Sequence, residues 1–236
     1  MPFPSHVLNQ ESPSISCQSQ KQSTKQAHQQ SLLLLANCLS LIFGHGNTSS
    51  LRLEKADMTN FGAIRNPSLS SRWTFWWNKC QKWYNDRPVE VQQVLDIRGV
   101  DVEQIYHQTS STFPILIYTT PLALVSNAVY HITSLLLLTH KPRLLKGLVG
   151  PRCFTSHNWH AQSIAGIATS NELFEQWDPV MIAGLLLTAR EMTHESQQSV
   201  LLDQLGMVTS MTGIKLDREV EILKSGWSIS RYDEKI

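Results

Sequence analysis

Apolar residues along this chain fall at three- and four-residue intervals or in unbroken blocks, and almost nowhere in strict alternation. Side chains at i, i+3, i+4 and i+7 share one face of a helix, whereas a strand switches faces at every residue. The pattern therefore predicts an all-α chain, an irregular array of packed helices with no significant sheet. The block SLLLLANCLSLIF at 31–43 reads as the first helix. SRWTFWWNKCQKWYNDRP at 71–88 places Trp73, Trp76, Trp77, Cys80, Trp83 and Tyr84 on one broad helical face, and Pro88 stops it. Residues 122–138 carry Leu122, Val125, Val129, Ile132 and Leu136 on one side and Asn127, His131 and Ser134 on the other, as in an amphipathic helix.

The second half continues in the same way. Residues 158–173 form a helix with Asn158 as its expected N-cap, dense in small side chains (Ala161, Ser163, Ala165, Gly166, Ala168) that let a neighbour approach closely. Asp178 and Pro179 open the next helix, a side-chain cap followed by a residue with a preset φ. Val180 to Leu187 are apolar on every side, the pattern of a fully buried helix, and Gly184 within that run is expected to cross closely over Ala165, Gly166 and Ala168. Arg190 suits the negative end of that helix. Thr193 is the expected cap of a further helix with Leu201, Leu205, Val208 and Met211 as its core stripe, interrupted by Gly206 and stopped by Gly213. Asp217 opens a last short helix with Glu219 and Glu221 in its first turn, Lys224 in its last and Gly226 beyond it.

Two stretches fall outside this rhythm. Residues 1–30 are rich in Ser and Gln and poor in apolar groups, and are expected to be a disordered tail because they bury too little to offset their ordering entropy. Residues 44–70, with three glycines and a proline, read as a loop or linker within a helical region running from 31 to 236.

Charge and cysteine content narrow the function classes. Twenty Lys and Arg against nineteen Asp and Glu leave a formal charge of +1, which offers no basic footprint for nucleic acid or an anionic membrane. Cys17, Cys38, Cys80 and Cys153 contain no C-x-x-C pair, so the tight ligand turn of a zinc site is missing and the thiols read as reduced and intracellular. The apolar run at 31–44 follows two lysines but starts late for a signal peptide and has no small-x-small cleavage site. No charged residue lies between Glu103 and Lys141, a gap long enough for a bilayer span, yet Pro114 and Pro121 break it and a polar stripe marks its longest part.

The chemistry-bearing residues are few. Glu191 and His194 have the E-x-x-H spacing of di-metal carboxylate bundles, but no second motif or matching inward glutamate accompanies them, so they read as a helix end. His157 and His160 are three apart and could share an ion, though no nearby Cys or carboxylate completes the set. Asn127, His131 and Ser134 suit either a satisfied core network or part of a ligand pocket. The aromatic face of 71–88 suits either a core or a base-stacking platform, and the neutral charge balance favours a core. No phosphate loop, nucleophile elbow, zinc-protease helix or dinucleotide fingerprint appears. No catalytic, cofactor-binding or metal-ligating residue is assigned, and no cofactor is expected.

Three segments carry a family resemblance: SNAVYHITSLLLLTHKPR (126–143), NWHAQSIAGIATSNELFEQWDPVMIAGLLLTAREMTHESQQ (158–198) and VTSMTGIKLDREVEILKSGW (208–227). WYNDRP at 83–88 and the leucine block at 31–44 fit upstream of them. Together they resemble the C-terminal half of fungal-specific transcription factors of the binuclear zinc cluster type, over roughly residues 31 to 230. The resemblance implies an all-helical regulatory region in the nucleus, without enzymatic activity. It would act through other transcription regulators, coregulators or a small-molecule effector, and a homodimer is compatible with it. The six-cysteine DNA-binding cluster of that family is not in this sequence, so direct sequence-specific DNA binding is not expected, and neither is membrane association. Two other readings stay open: a helical ligand-binding or metal-dependent enzyme using His131, His157, His160 or His194, and a membrane protein using 113–138.

Overall fold

A computed structural model describes residues 13–44, 68–98, 113–145, 147–148, 151–171 and 177–233. Among them lie seven α-helices and one two-stranded sheet, so the chain is a mostly helical packed array. The helices are α1 (Pro13–Phe43), α2 (Leu69–Asp86), α3 (Pro121–Thr139), α4 (His157–Ser170), α5 (Pro179–Glu191), α6 (Glu195–Thr212) and α7 (Asp217–Asp233). Short 3₁₀ turns at Val89–Val91 and Arg152–Thr155 follow α2 and precede α4. The strands β1 (Leu95–Ile97) and β2 (Ile115–Ile117) pair antiparallel, with Leu95 opposite Ile117.

The array is built around α3. Thr120 caps it by accepting from the Ala123 amide at 3.2 Å, and Pro121 supplies the first turn. Fifteen of its nineteen residues are buried. Helices α1, α2, α4 and α5 all pack on it. One apolar cluster joins α3 to α4, α5, α6 and α7, and a second joins it to α1 and α2, so α3 is the wall common to both. Of the two readings open for its polar stripe, a core network and part of a ligand pocket, the structure shows the core network. Asn127, His131 and Ser134 are all buried, because α2, the 89–91 turn and α4 cover that face. Among the described residues α3 alone is long and apolar enough to cross a membrane, and 83% of that span is enclosed by the rest of the chain.

Helix α1 starts at Pro13, not at residue 31, so the expected disorder of 1–30 does not hold from 13 onward. Thr24, Ala27, Ser31, Leu35 and Cys38 recur at three- and four-residue steps and are all buried. The first three members of that stripe are small or polar, which hides it from a hydrophobicity reading. They bury by close approach: Trp83 of α2 donates its indole N–H to the Ala27 carbonyl at 3.0 Å, and the Thr24 hydroxyl returns to the Gln20 carbonyl at 3.0 Å. Residues 1–12, and most of the 44–70 loop, lie outside the described residues. The aromatic face of α2 is a core, with Trp73, Trp77, Cys80 and Trp83 buried.

Several helix ends differ from expectation by a residue or more. Ser156, not Asn158, caps α4 by accepting from the Trp159 amide at 3.2 Å. His194, not Thr193, caps α6 through its ring nitrogen on the Ser196 amide. Helix α7 runs through Gly226 to Asp233, because Trp227 docks into the core and donates to the Ala189 carbonyl at 3.0 Å. Asp178 and Gly213 act as expected: the Asp178 carboxylate accepts from the Val180 amide at 2.7 Å, and Gly213 closes α6 with φ +72°. Nor is α5 buried on every side, since Ala183 is exposed and Val180, Leu186 and Leu187 are only half-buried.

The two core glycines separate what the sequence read as one crossing. A Cβ on Gly184 would lie 2.6 Å from Ile132 Cδ1 and 3.5 Å from Ile164 Cγ2, so α5 sits closely over side chains of α3 and α4. Gly166 instead admits the backbone entering β2: a Cβ there would run into the Pro114 carbonyl. The Asn171 side chain then clamps β2 from both directions, donating to the Leu116 carbonyl at 2.7 Å and accepting from the Tyr118 amide at 3.2 Å. Gly206 faces open space. Gly184→Leu is expected to lower the thermal midpoint through overpacking of ~1–3 kcal/mol, and Gly184→Ala to be neutral or worse. Gly166→Ala is expected to destabilise, since a backbone carbonyl cannot swing away as a side chain can. Gly206→Ala should raise stability by ~0.5–1 kcal/mol. Thermal unfolding of the four variants checks the set.

Candidate functional site

The densest group of titratable and aromatic side chains lies where α2, α3, α4 and the 152–155 turn meet. Tyr130 and His131 are consecutive on α3, and Trp159 and His160 are consecutive on α4. Consecutive residues on a helix point about 100° apart, so each pair presents one ring toward the other helix and one toward α2. His131 Nδ1 and His160 Nδ1 are 3.0 Å apart, and His160 Nε2 is 2.9 Å from the Phe154 carbonyl. Tyr84 stacks on Tyr130 with centroids 4.3 Å apart, and Phe154 and Trp159 meet Tyr84 edge-on.

These contacts dictate the tautomers. A carbonyl only accepts, so His160 carries its proton on Nε2 and offers a lone pair at Nδ1. His131 must then donate from its own Nδ1. Both rings are thus neutral, and burial enforces it. Desolvation, then the neighbouring His160, Arg98 and Arg87, push His131 well below its ordinary 6.5. Desolvation lowers His160 to about 4, opposed by the Phe154 carbonyl and assisted by His157 and Arg98. Arg98 itself lies over the Trp159 ring at 4.8 Å and donates to Ser163 Oγ at 3.0 Å, closing the outer side of the cluster.

The rest of the polar stripe divides among separate partners. Asn127 donates to the Val91 and Ala123 carbonyls at 2.6 and 2.8 Å, which anchors the turn after α2. Ser134 Oγ meets Cys80 Sγ at 3.4 Å, and Cys38 Sγ meets the Thr133 carbonyl at 3.9 Å. Burial raises both thiols to about 12, so neither is a nucleophile at neutral pH. Asn127, His131 and Ser134 therefore tie α3 to its neighbours and do not line the grooves along α2, between α1 and α2, or between α5 and α7.

The remaining candidates do not assemble. His157 is exposed while both nitrogens of His160 are engaged elsewhere, so the two do not face a common ion. Glu191 and His194 are both exposed at the α5–α6 corner, and His194 serves as the cap of α6. Gln198 seals that corner from inside, donating to the Met192 carbonyl at 3.0 Å. No group of three metal-capable side chains exists among the described residues.

One convergence escaped the sequence reading because its members are far apart in the chain. Ser126 Oγ lies 3.3 Å from His28 Nδ1; burial lowers the His28 pKa, opposed in part by the charge of Asp178. The types are those of a hydrolase triad, but the polarity is reversed. The Ser126 hydroxyl donates to the Leu122 carbonyl, so His28 Nδ1 must donate to Ser126 and cannot take its proton. Ser126 is also wholly buried. The group is a fastening between α1 and α3.

The histidine pair has a thermodynamic consequence. Both rings titrate below 6.5 in the fold and near 6.5 in the unfolded chain, so their contribution is complete above pH 6.5. It is lost as pH falls from 6.5 toward about 4 for His160, and in the same direction for His131, whose burial holds it well below 6.5. Each histidine should add a slope of up to about 1.4 kcal/mol per pH unit in that window. His160→Gln, which keeps a donor for the Phe154 carbonyl, is expected to lower stability near neutrality and to flatten the pH dependence. Urea unfolding at several pH values between about 7 and 5 reads both effects.

No family model matches this chain, and no characterised protein or solved structure is significantly similar to it.

Proposed function

We propose that this chain is a transcription-regulator-like helical module, corresponding to the regulatory region of fungal zinc cluster factors. In this reading it acts in the nucleus through contacts with other regulators, coregulators or a small-molecule effector, and has no catalytic role. The observation that carries the reading is how the resembling motifs pack. The Tyr-His of the first segment, Tyr130 and His131, and the Trp-His of the second, Trp159 and His160, meet in one buried cluster. The Trp-Asp-Pro start of α5 and the Thr-His-x-Ser-Gln-Gln corner then bracket a helix that packs on the same α3 and α4. Motifs that interlock in this way belong to one folding unit, which is what a shared regulatory region requires.

The alternatives find less support. An enzyme using His131, His157, His160 or His194 would need those side chains to converge on an open site, whereas two are buried against each other and two lie apart on the surface. A membrane protein using 113–138 would present α3 to lipid, whereas α3 is wrapped by four helices.

Fused to an unrelated DNA-binding domain in a yeast reporter strain, residues 13–236 are expected to change reporter output relative to the DNA-binding domain alone. His131→Asp, which places a charge in the buried cluster, is expected to abolish that change. The isolated chain should show no saturable, sequence-selective duplex binding near the ~10⁻⁸ M typical of specific complexes. An unaltered reporter, or selective duplex binding in that range, would count against the reading.

A further inference from the structure

Helix α7 leaves a groove of about 530 Å³ where it crosses α5 beside the α5–α6 corner. That size falls within the ~300–1,000 Å³ of small-molecule sites. Met192, Leu223 and Trp227 are buried beneath it and give it an apolar floor, with Leu186 half-buried beside them. Arg190 of α5 and Glu219 of α7 also line it, so one wall carries a guanidinium and the other a carboxylate. Neither side chain makes an ion pair or hydrogen bond among the described residues, in contrast to the pairs Lys82–Asp86, Arg98–Asp96 and Lys224–Glu221 elsewhere. Gly226 lines the groove from within α7, at a place where a Cβ would meet nothing within 4 Å. Glycine is a poor helix former compared with alanine, and here it keeps open a space that a longer side chain would fill.

We propose that this groove binds a small zwitterion with an apolar body, of the kind formed by a short peptide of apolar residues with free ends. Charge selects the two ends of the occupant. The Arg190 guanidinium pairs with a carboxylate through parallel N–H···O bonds, and the Glu219 carboxylate accepts from an ammonium. An anion that lacks the ammonium sets like charge beside Glu219, and a cation that lacks the carboxylate does the same beside Arg190. The floor selects the body. The Trp227 indole N–H is already given to the Ala189 carbonyl, and the Gln198 amide nitrogen to the Met192 and Thr193 carbonyls, so the floor offers apolar contact. A ligand held in this way touches both α5 and α7 and fastens α7 to the array. Its action as the small-molecule effector of a regulatory module rests on the function proposed above; its binding does not.

The test titrates the full chain with the dipeptide leucyl-leucine at millimolar concentration, by calorimetry. Comparison probes are N-acetyl-leucyl-leucine, which lacks the ammonium, leucyl-leucine amide, which lacks the carboxylate, and glycyl-glycine, which lacks the apolar body. Leucyl-leucine is expected to bind at least about fivefold more tightly than each of the others. Arg190→Gln should weaken leucyl-leucine about fivefold or more and leave the amide unchanged, and Glu219→Gln should weaken it similarly and leave the N-acetyl form no weaker. Gly226→Leu, at an exposed position, should abolish binding while circular dichroism stays unchanged. Saturation with leucyl-leucine should slow amide exchange in α7. The proposal is overturned by no binding of leucyl-leucine, or by binding indifferent to Arg190→Gln or to Gly226→Leu. Equal binding of the N-acetyl form overturns it in favour of a simple carboxylate site. An inert reporter fusion together with intact binding supports the site and counts against the regulatory reading alone.

Discussion

Every other feature of the molecule depends on enclosing α3. Burying fifteen of the nineteen residues of that helix takes its leucines, valines and alanines out of water, at roughly 25 cal/mol per Å² of apolar surface. It also obliges every polar atom on that helix to find a partner inside the protein, since an unpaired buried group costs about 1–3 kcal/mol. The Ser126, Asn127, His131, Thr133 and Ser134 side chains largely meet that demand by bonding to carbonyls of their own helix or to groups on α1, α2, α4 and the 89–91 turn, Asn127 through its amide nitrogen while its Oδ1 has no partner among the described residues. The polar residues of α3 thereby specify which neighbour sits where, while its leucines and valines supply the driving force. Trp73 and Trp83 do the same from the other side, giving their indole N–H groups to the Leu137 and Ala27 carbonyls.

The same demand accounts for the chemical quietness of residues that look reactive in isolation. A histidine with both ring nitrogens committed, a thiol raised to about 12 by burial and a serine that donates to its own helix are all spent on packing. The proposed regulatory role would suit a stiff interior of this kind.

The helical class and most elements were legible because their periodicity is local. The start of α5 at Asp178 and the stop of α6 at Gly213 were legible because caps act through one or two neighbouring residues. The early start of α1 was not, because Thr24, Ala27 and Ser31 bury through closeness of approach and not through hydrophobicity. A core network was one of the two readings of the α3 polar stripe, but its partners were hidden for a related reason. A stripe of Asn, His and Ser looks the same whether it faces water or three other helices, and the deciding partners lie 29 to 54 residues away. The Ser126–His28 contact, 98 residues apart, had no local signature at all. Gly166 and Gly184 were recognised as tight points, but the partner of each depended on a strand entry and an isoleucine that spacing does not reveal.

Native-state amide hydrogen exchange tests the central place of α3 most directly. If α3 is the shared wall of both apolar clusters, its amides from Val125 to Leu138 exchange only through global unfolding, with the same free energy and denaturant dependence as the whole molecule. Helix α7, which meets the array mainly through Leu223 and Trp227, opens at lower free energy. Exchange of α3 by local opening, at free energies below those of α4 or α5, would contradict the account.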